Sequence, residues 1–518
     1  MRNAHTVAAV RAAERALMAE LPDGVLMQRA AAGLMSVCVS LLGQVYGSKV
    51  VVLAGSGDNG GDALYAGARL AARGARVDAI AAGSRLHEAG KAALVERGGR
   101  VTAATDHAGA APGAPLGAGA GGGITARGRA AIAAADLIID GLTGIGGQGG
   151  LREPAAELAS LADQARRDGA VVVAVDLPSG IEADSGEVHG PAVMADVTVT
   201  FGTWKPGLLI DPGAEHAGAA ELIDIGLGPY LPQPAVMALQ AVDVAAILPH
   251  PTPESDKYRR GVLGILAGSD QYTGAAVLSV GGAIRGGAGM VRLISAPTTL
   301  QVVRQYWPEA VLTTEDASQP QQTLEAAGRV QAWTAGPGMG TSQDARAMLA
   351  ALLATTVPAL VDADGLTLLA AHPDLLPRQA PTVITPHAGE LARLLHADRA
   401  DIEARRLYYA RAAAAQLGVT VLLKGSTTVI ASPEPDKPVL VNPTGSSWLA
   451  TAGSGDVLSG LAGSLLAQGA APDLAAAAAA YVHGLAGRLA ARDAPIGAAD
   501  VLAAIPAAIR AATSAVPD

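Results

Sequence analysis

The sequence predicts an α/β protein of two domains, each built on a mainly parallel sheet with helices on both faces. Short β-branched runs that end in glycine or aspartate, such as 49–55 and 171–176, are typical of buried strands. Helical stretches alternate with these runs, which is the pattern of parallel sheets. The 518 residues are also too many for one core, since a domain averages roughly 150 residues.

The N-terminal half begins with helices, because apolar residues recur at spacings of three and four from Val7 to Leu42. A strand at 49–55 and a helix at 61–73 follow. Residues 104–123 are low-complexity Gly, Ala and Pro, which predicts a mobile surface insertion. The remaining predicted strands lie in RVDAIAA, DLIIDGLTGIG, VVVAVDLPSG and DVTVTFG.

Proline and glycine break the periodicity after residue 225, so we predict domains at 1–225 and 245–518 joined by a linker at 226–244. A second series of strands and helices then ends in a long Ala-rich helical region. Its predicted strands lie in GVLGILAGS, MVRLISA, AWTAGPGMG, PALVDADGL, TVITPHAGE, TVLLKGS and TTVIAS.

Bulk properties exclude several classes of protein. A net charge of -10 argues against general binding of nucleic acid or acidic membranes. The single cysteine, Cys38, excludes a disulfide within the chain, and its apolar surroundings predict a packed thiol. No apolar run reaches the ~20 residues of a membrane span, and the charged N-terminus lacks a signal-peptide core. We therefore expect a cytoplasmic protein.

The segment AGSGDNGGDALYAG (54–67) follows a predicted strand and opens a helix, which suits a phosphate site. Gly55, Gly57 and Gly60 match G-x-G-x-x-G, and Asp78 lies about 20 residues further on, as in dinucleotide-binding folds. An NAD-linked dehydrogenase is therefore one interpretation of this segment.

The polar side chains of the same turn favour a different site. Asp58, Asn59 and Asp62 bring oxygens that suit a cation or a hydroxyl group. Asp140 and Asp176 each end an apolar strand beside a turn with glycine. Ligands of open α/β sheets bind at the carboxyl ends of the strands, so these acids are expected to converge on one site. Each could instead be a helix cap or a turn residue.

AGSGDNGGDALYAGARLAARG, IIDGLTGIG and AVDLPSGIEADSG resemble the signatures of the NAD(P)H-hydrate epimerase family over roughly residues 7–225. The resemblance implies a Rossmann-like three-layer αβα domain, with potassium bound by Asn59, Asp140 and Ser179. Asp176 is then the carboxylate that shuttles the proton. The residues implied to bind the substrate are Asp58, Asn59, Gly60, Gly61, Asp62, Gly144, Ile145, Gly146, Gly147, Gln148, Gly149, Gly150 and Asp176.

Two positions depart from the family's Asn-Asn-Gly-Gly-Asp-Gly. Asp58 replaces the first Asn and Ala63 the last Gly, and Asp58 adds negative charge near a phosphate-bearing ligand. A related domain also serves as a non-catalytic protein-binding module, so a ligand-sensing or interaction domain is an alternative for this half.

In the C-terminal half, Gly453-Ser454-Gly455-Asp456 precedes an apolar helix. Small residues expose the backbone amides of such a loop, and the helix dipole favours an anion there. Asp456 can then take the proton from a hydroxyl under phosphoryl attack. A glycine-rich turn capped by Asp is the plain alternative. The chain has no G-x-x-x-x-G-K-[ST], so a P-loop NTPase lacks its main motif.

Five further segments, in the family's order, resemble the ADP/ATP-dependent NAD(P)H-hydrate dehydratases, which have a ribokinase-like α/β fold: 255–295, TAGPGMG, VDADGL, ITPHAGE and LLKGSTTVI. The positions implied to hold the hydrated dinucleotide are Ala283, Gly338, His387 and Asp456. Those implied to hold the adenine nucleotide are Lys424, Gly425, Ser426, Thr427, Thr428 and Gly455. Structural alternatives exist: a capping or packed His387, a solvated Lys424, and turn roles for Asp362 and Asp364. Glu390 could position Mg²⁺ through water.

The two resemblances together imply a repair enzyme for NADHX and NADPHX, the hydrated forms of NADH and NADPH. The N-terminal half would interconvert the R and S epimers, and the C-terminal half would dehydrate the S epimer. A phosphoryl group goes to the C6 hydroxyl, phosphate leaves, and the double bond returns. Bacterial members generally use ADP, so we expect ADP with ATP as the alternative, and a homo-oligomer. A small-molecule kinase is the rival function, since ribokinase-like sites also phosphorylate vitamins and sugars.

Overall fold

The chain divides into two compact units, Asn3–Ala235 and Met1–Arg2 with Val236–Asp518. The computed structural model describes residues 1–105, 123–147 and 149–514. The boundary between the units falls inside the predicted linker 226–244. This linker is not wholly irregular, because it contains the strand Val236–Ala238. Most of the predicted insertion at 104–123 lies outside the described residues.

The N-terminal unit has a seven-stranded sheet in the order β4-β3-β2-β5-β6-β7-β8, and every pair of neighbours is parallel. With elements numbered along the whole chain, its strands are β2 (Lys49–Ala54), β3 (Arg76–Ala81), β4 (Arg100–Ala103), β5 (Leu137–Gly141), β6 (Val171–Val175), β7 (Val197–Phe201) and β8 (Ala219–Ile223). Its helices are α1 (Val7–Met18), α2 (Val25–Leu42), α3 (Asp58–Ala71), α4 (Glu88–Glu96), α5 (Ala126–Ala133), α6 (Ala155–Arg167) and α7 (Gly213–Ala217). Short 3-10 helices span Pro206–Leu208 and Gly228–Tyr230.

Alternate residues of β2 enter two separate hydrophobic cores. Val50 and Val52 pack in the core that contains Leu34 of α2, whereas Val51 and Leu53 pack in the core on the other face. Successive side chains of a strand point to opposite faces, so a strand covered on both sides is apolar throughout. This confirms the predicted parallel sheet with helices on both faces.

Two local features differ from the expectation. Helix α3 begins at Asp58, three residues before the predicted start, so Asp58 and Asn59 lie in the first turn of a helix. Asp78 is the third residue of β3 and pairs with Arg76 across 3.4 Å. A ribose-binding acid lies at the end of its strand, so the position of Asp78 does not favour the dinucleotide interpretation.

Ten strands of the C-terminal unit form a sheet in the order β9-β18-β17-β16-β15-β14-β13-β10-β11-β12. They are β9 (Val236–Ala238), β10 (Val262–Leu266), β11 (Met290–Ser295), β12 (Val311–Thr314), β13 (Ala332–Ala335), β14 (Ala359–Val361), β15 (Thr382–Ile384), β16 (Thr420–Leu423), β17 (Thr428–Ala431) and β18 (Val439–Asn442). The short strand β1 (Arg2–Ala4) begins at Arg2 of this unit. Strands β10 to β16 pair with one another in parallel. Strand β17 is antiparallel to both of its neighbours, β16 and β18.

The helices of this unit are α8 (Ala241–Ile247), α9 (Thr273–Arg285), α10 (Pro297–Tyr306), α11 (Pro320–Ala327), α12 (Gln343–Leu353), α13 (Asp364–Ala371), α14 (Ala388–Leu395), α15 (Arg399–Ala404), α16 (Arg406–Leu417), α17 (Ser454–Ala467), α18 (Pro472–Ala491) and α19 (Ala498–Thr513). The 3-10 helices are Pro373–Leu375 and Ser447–Leu449. Small residues let α9 and α17 approach closely: a Cβ at Gly460 would lie 1.9 Å from the Ser279 carbonyl oxygen. The core therefore needs few aromatic side chains.

Within the described residues, α2 and α18 are long and apolar enough to cross a membrane, judged by length and composition only. Neither helix is an uninterrupted apolar run, because α2 contains Arg29 and α18 contains Asp473 and Arg488. Much of α18 is buried, as the core helix of a soluble protein would be. Cys38 on α2 is fully buried, and burial raises the pKa of its thiol to about 12, which confirms a packed thiol.

Candidate active sites

The N-terminal site lies at the carboxyl ends of β2, β5 and β6, which are neighbours in the sheet. Asp140 is within the last two residues of β5, and Asp176 directly follows β6. The first turn of α3 follows β2 after a three-residue loop. The three segments predicted to converge therefore do so.

The three predicted potassium ligands belong to one hydrogen-bonded network. The fully buried Asp140 accepts hydrogen bonds from the backbone N–H of Ser179 at 2.8 Å and from its hydroxyl at 2.7 Å. Asn59 Nδ2 donates to the carbonyl oxygens of Thr143, at 3.2 Å, and Val175, at 2.6 Å. The Thr143 N–H in turn donates to Ser179 Oγ at 2.9 Å.

Burial raises the pKa of Asp140 to about 6, although the hydrogen bonds from Ser179 oppose the shift. A hard cation prefers carboxylate, hydroxyl and carbonyl oxygens, and this network supplies all three types. The residues present therefore fit an alkali cation.

Asp176 has a positive φ of 65°, and its carboxylate is held on one side. Its Oδ1 accepts from the hydroxyl of Thr200 at 3.1 Å, from the backbone N–H of Phe201 at 3.2 Å and from the ammonium of Lys205. Lys205 is only 1% exposed. The strand-end pattern found Asp176, but sequence reasoning missed Thr200, near the end of β7, and Lys205, four residues beyond the strand.

The first turns of α3 place Asp58 at the surface and bury Asp62. Burial, followed by the charges of Asp176 and Asp58, raises the pKa of Asp62 well above its ordinary value. Gly60 has to be a glycine, because a Cβ there would lie 2.2 Å from the Gly55 carbonyl oxygen. Gly61 is also buried.

The glycine-rich segment after β5 approaches other parts of the site closely. A Cβ at Gly144 would lie 2.4 Å from Asn59 Oδ1, and one at Gly146 would lie 2.5 Å from the Arg11 guanidinium. A Cβ at Gly150 would lie 2.8 Å from a backbone carbonyl. Ile145 and Gly147 are half-buried, and Gly149 is exposed. Gln148 lies outside the described residues.

The C-terminal site is centred on the N-terminus of α17. Gly453 caps the helix with a positive φ of 84°, and Asp456 lies in the first turn. Burial and then the charge of Asp362 raise the pKa of Asp456 to about 7, against the lowering effect of Lys424. A carboxylate with this pKa can act as a general base near neutral pH.

Lys424 joins three of the predicted segments. Its ammonium lies 2.8 Å from Asp362 Oδ1 and 3.6 Å from Glu390 Oε2. Burial lowers the pKa of Lys424, but the two carboxylates outweigh it, so the net shift is upward. A Cβ at Gly455 would lie 3.5 Å from Lys424 Nζ, which places this cation beside the amides of the helix N-terminus.

His387 caps α14, where its Nδ1 accepts from the backbone N–H groups of Gly389, at 3.0 Å, and Glu390, at 3.3 Å. An isolated bridge pairs His387 with Lys424, so the ITPHAGE and LLKGS segments are adjacent. Burial and the cations Lys424 and Arg393 lower the pKa of His387, with Glu390 opposing. The capping role considered from the sequence is confirmed, and it leaves Nε2 facing Glu390 at 3.5 Å.

The other predicted residues differ in how they are placed. Gly338 has a positive φ of 61° and packs against Tyr272 and Ala275. Ala283 is fully buried within the hydrophobic core of the unit, so its contact with a ligand stays a prediction. In the segment after β16, Gly425 and Ser426 are exposed while Thr427 and Thr428 are buried.

Two hydrogen-bonding side chains of the C-terminal site were missed from the sequence. The hydroxyl of Ser459 donates to Asp362 Oδ2 at 2.6 Å and to the Gly455 carbonyl oxygen at 3.0 Å. His483 Nε2 lies 3.0 Å from the carbonyl oxygen of Ser454, and burial lowers its pKa to about 4. Both lie in apolar Ala- and Leu-rich helices, where no local motif marks them.

Two family models match the chain, one in each half. The model described as "NAD(P)H-hydrate dehydratase" matches residues 263–507, and the model described as "YjeF-related protein N-terminus" matches residues 23–207. A crystal structure of the ADP/ATP-dependent NAD(P)H-hydrate dehydratase from Bacillus subtilis, co-crystallized with ATP/Mg2+, is 29% identical. The similarity covers 52% of this chain and 96% of that chain, with a TM-score of 0.47.

Several curated relatives match nearly the full length. The bifunctional NAD(P)H-hydrate repair enzyme Nnr of Mycobacterium leprae (strain TN) is 46% identical over 95% of each chain. The protein of the same name from Mycobacterium tuberculosis (strain ATCC 25618 / H37Rv) is 46% identical over 90% of each chain. That from Corynebacterium glutamicum is 37% identical over 89% of each chain.

Proposed function

The chain belongs to the family of bifunctional NAD(P)H-hydrate repair enzymes, and from this premise we propose that it restores hydrated NADH and NADPH in two steps. The N-terminal unit interconverts the R and S epimers of NADHX and NADPHX. The C-terminal unit dehydrates the S epimer with a nucleotide as phosphoryl donor. Spontaneous hydration gives both epimers, so joining the two activities lets all of the damaged cofactor be recovered.

The observation that carries the dehydratase function is the arrangement around Asp456. The helix N-terminus at Gly453 provides amides and a dipole that bind a phosphoryl group. Asp456, with its pKa near 7, accepts the proton of the substrate hydroxyl as the oxygen attacks the terminal phosphorus. Lys424, beside Gly455, offers its positive charge to the transferred group. Phosphate then leaves C6, and a proton leaves C5 to restore the double bond.

For the epimerase, we propose that Asp176 shuttles the proton that epimerisation requires and that Asn59, Asp140 and Ser179 hold K⁺ as an electrostatic anchor. For the dehydratase, we propose ADP as the donor, with ATP as the alternative, and Mg²⁺ near Glu390. The magnesium ion would neutralise phosphate charge when bound. Asp362 and Glu390 pair with Lys424, so the proposal of Mg²⁺ rests on the resemblance of the ITPHAGE segment and not on a free acidic pair.

A small-molecule kinase remains the second candidate, because the same base and anion site would phosphorylate an alcohol. The two candidates differ in product: a kinase leaves a stable phosphate ester, whereas repair restores the dihydronicotinamide. We further propose that the protein acts in the cytoplasm as a homo-oligomer, without nucleic-acid or membrane partners.

The test is to add the full-length protein to NADHX with Mg²⁺ and either ADP or ATP, and to follow the return of NADH absorbance. We expect recovery with ADP of all the NADHX, including the R epimer. Recovery of only the S epimer would restrict the function to the C-terminal unit. No recovery with either nucleotide would refute the proposal.

A further inference from the structure

Lys205 is buried more completely than an ammonium group normally is. It lies four residues beyond β7 and is 1% exposed. Its ammonium donates to Asp176 Oδ1, to Thr200 Oγ1 at 2.9 Å and to the Phe201 carbonyl oxygen at 3.1 Å. These bonds use all three of its donors. Burying a charge is costly unless it is paired, so the place of Lys205 is explained by what it does to Asp176.

The hydrogen bonds to Asp176 fall on only one of its two carboxylate oxygens. The bonds from Lys205, Thr200 and the Phe201 N–H all end on Oδ1. They leave Oδ2 for a ligand and fix the orientation of the carboxylate. Asp176 is therefore held in one position relative to the strand end.

Asp62 is a second acid in the same site with the opposite surroundings. It is 7% exposed, and within the part of the chain that the structure describes its buried Oδ1 has no hydrogen-bond partner. Buried polar groups are normally paired, so an unpartnered oxygen here points to a ligand. Burial and the charge of Asp176 both raise the pKa of Asp62, which favours its neutral, proton-donating form.

We infer that Asp62 and Asp176 are the acid and the base of the epimerase, and that Lys205 is the positioning residue that fixes the orientation of the Asp176 carboxylate. The inference rests on the proposed function and names the groups that move its protons. Two carboxyl groups in different surroundings, one acting as the acid and the other as the base, are a recurring arrangement in enzymes.

The step balances as an exchange of water at C6. Asp62 gives its proton to the departing hydroxyl, which leaves as water while the lone pair of the ring nitrogen N1 forms a C6=N1 double bond. Water then adds to the opposite face of C6 and gives one proton to Asp176. The net charge of the substrate is unchanged, and solvent returns the proton from Asp176 to Asp62. The reverse reaction uses the same groups in exchanged roles.

The charges that surround Asp176 fit the cationic intermediate of this step. Glu14 on α1 and Asp58 on α3 interact with the same site, and burial and the charge of Asp176 raise the pKa of Glu14. Arg11 and Lys205 are the cations that act on Glu14. The negative charge of Asp176 stabilises an iminium ion. The same charge favours the protonated form of Glu14, which then does not act as a second base.

The experiment measures epimerisation of a purified single epimer of NADHX by wild-type enzyme and by Lys205→Met. Loss of the ammonium should release the Asp176 carboxylate from its fixed orientation, so the rate should fall roughly tenfold or more, through kcat and with little change in KM. Asp62→Asn should lose roughly 100-fold.

The matched pair Thr200→Val and Thr200→Ser covers the case in which Lys205→Met does not fold. Valine removes the hydroxyl that links Lys205 and Asp176, whereas serine retains it, so only valine should lower kcat. A folded Lys205→Met or Thr200→Val with an unchanged kcat, or an Asp62→Asn enzyme at full rate, would overturn the inference. Absence of epimerisation in the wild-type protein would instead refute the proposed function itself.

Discussion

In the N-terminal unit, the fully buried Lys205 pairs with Asp176, the carboxylate that we assign as the base. In the C-terminal unit, Lys424 retains 21% exposure of its side chain and pairs with Asp362 at 2.8 Å. The pKa of Asp456 there is raised to about 7, with burial as the largest cause. The lysine therefore pairs with the proposed base, Asp176, in the N-terminal site. In the C-terminal site it pairs with Asp362, a neighbour of the proposed base Asp456.

The difference corresponds to the two chemistries. In the proposed epimerase step, the carboxylate that receives the proton has to face the substrate in a fixed orientation, and a buried ion pair holds it. Phosphoryl transfer needs a base that accepts a proton and later releases it, which a carboxylate with a pKa near neutrality does best. Lys424, partly exposed, also remains able to face an anionic ligand.

The largest effects are expected when the carboxylate of Asp456 or of Asp176 is removed. Asp456→Asn should lower dehydration by roughly 10²–10⁴-fold, the usual effect of losing a general base, and leave epimerisation intact. Asp176→Asn should do the reverse. Both rates are measured on the same full-length sample with NADHX, Mg²⁺ and ADP. Asp473→Asn, at the first turn of α18, is the matched control and should change neither rate.

If either active-site change silences both activities in a protein that is folded by circular dichroism, the two units do not hold separate sites.

A second change tests whether Lys424 serves the nucleotide. Lys424→Met should lower dehydration by about 100-fold, as the loss of one charge-stabilising donor does. It should also weaken nucleotide binding, measured by calorimetry, while epimerisation continues. Lys424→Arg keeps the charge and should retain more activity. Lys437→Met is the control, because Lys437 pairs with Glu434 on the surface. Unchanged nucleotide affinity in Lys424→Met would exclude this role.

The strand ends of the N-terminal site could be predicted because the pattern is local. A β-branched run followed by an acid and a glycine identifies Asp140 and Asp176 without any tertiary information. Lys205 follows β7 in the turn TWKPG, which has neither the glycine pattern nor an acid. Its one sequence signal is rarity, since it is one of only six lysines in the chain and lies next to an apolar strand.

The C-terminal site shows the same limit. GSGD marks a helix N-terminus, and the structure places Asp456 in the first turn of α17. Ser459 is a helical serine among Leu, Ala and Gly, and only the packing of α17 against β14 brings it to Asp362. Sequence reasoning therefore finds residues whose neighbours carry the motif, and misses those whose role depends on a distant element.

A third change tests the close approach in the first turn of α3. Gly60→Ala would place a Cβ 2.2 Å from the Gly55 carbonyl oxygen, and the strain should cost about 1–3 kcal/mol of stability. Asn59 follows the moved backbone, so epimerisation should also fall. Gly57→Ala is the matched control in the same segment, since no atom lies within 4 Å of its Cβ position. Thermal unfolding and epimerase rates are compared for both, and equal effects would show that close packing is not what Gly60 provides.

The smallest effect concerns the pH profile of dehydration. Because Asp456 acts as a base with a pKa of about 7, the rate at pH 7 should be about half of its plateau at higher pH and should fall with the ionised fraction below that. The charge of Asp364 raises this pKa, so Asp364→Asn should move the acid limb to lower pH. The epimerase profile of the same sample is the internal control, because a change common to both would reflect folding. A dehydration rate that stays constant from about pH 6 to 8 would show that the raised pKa of Asp456 is not part of its chemistry, and the two sites would then differ less than their ion pairs indicate.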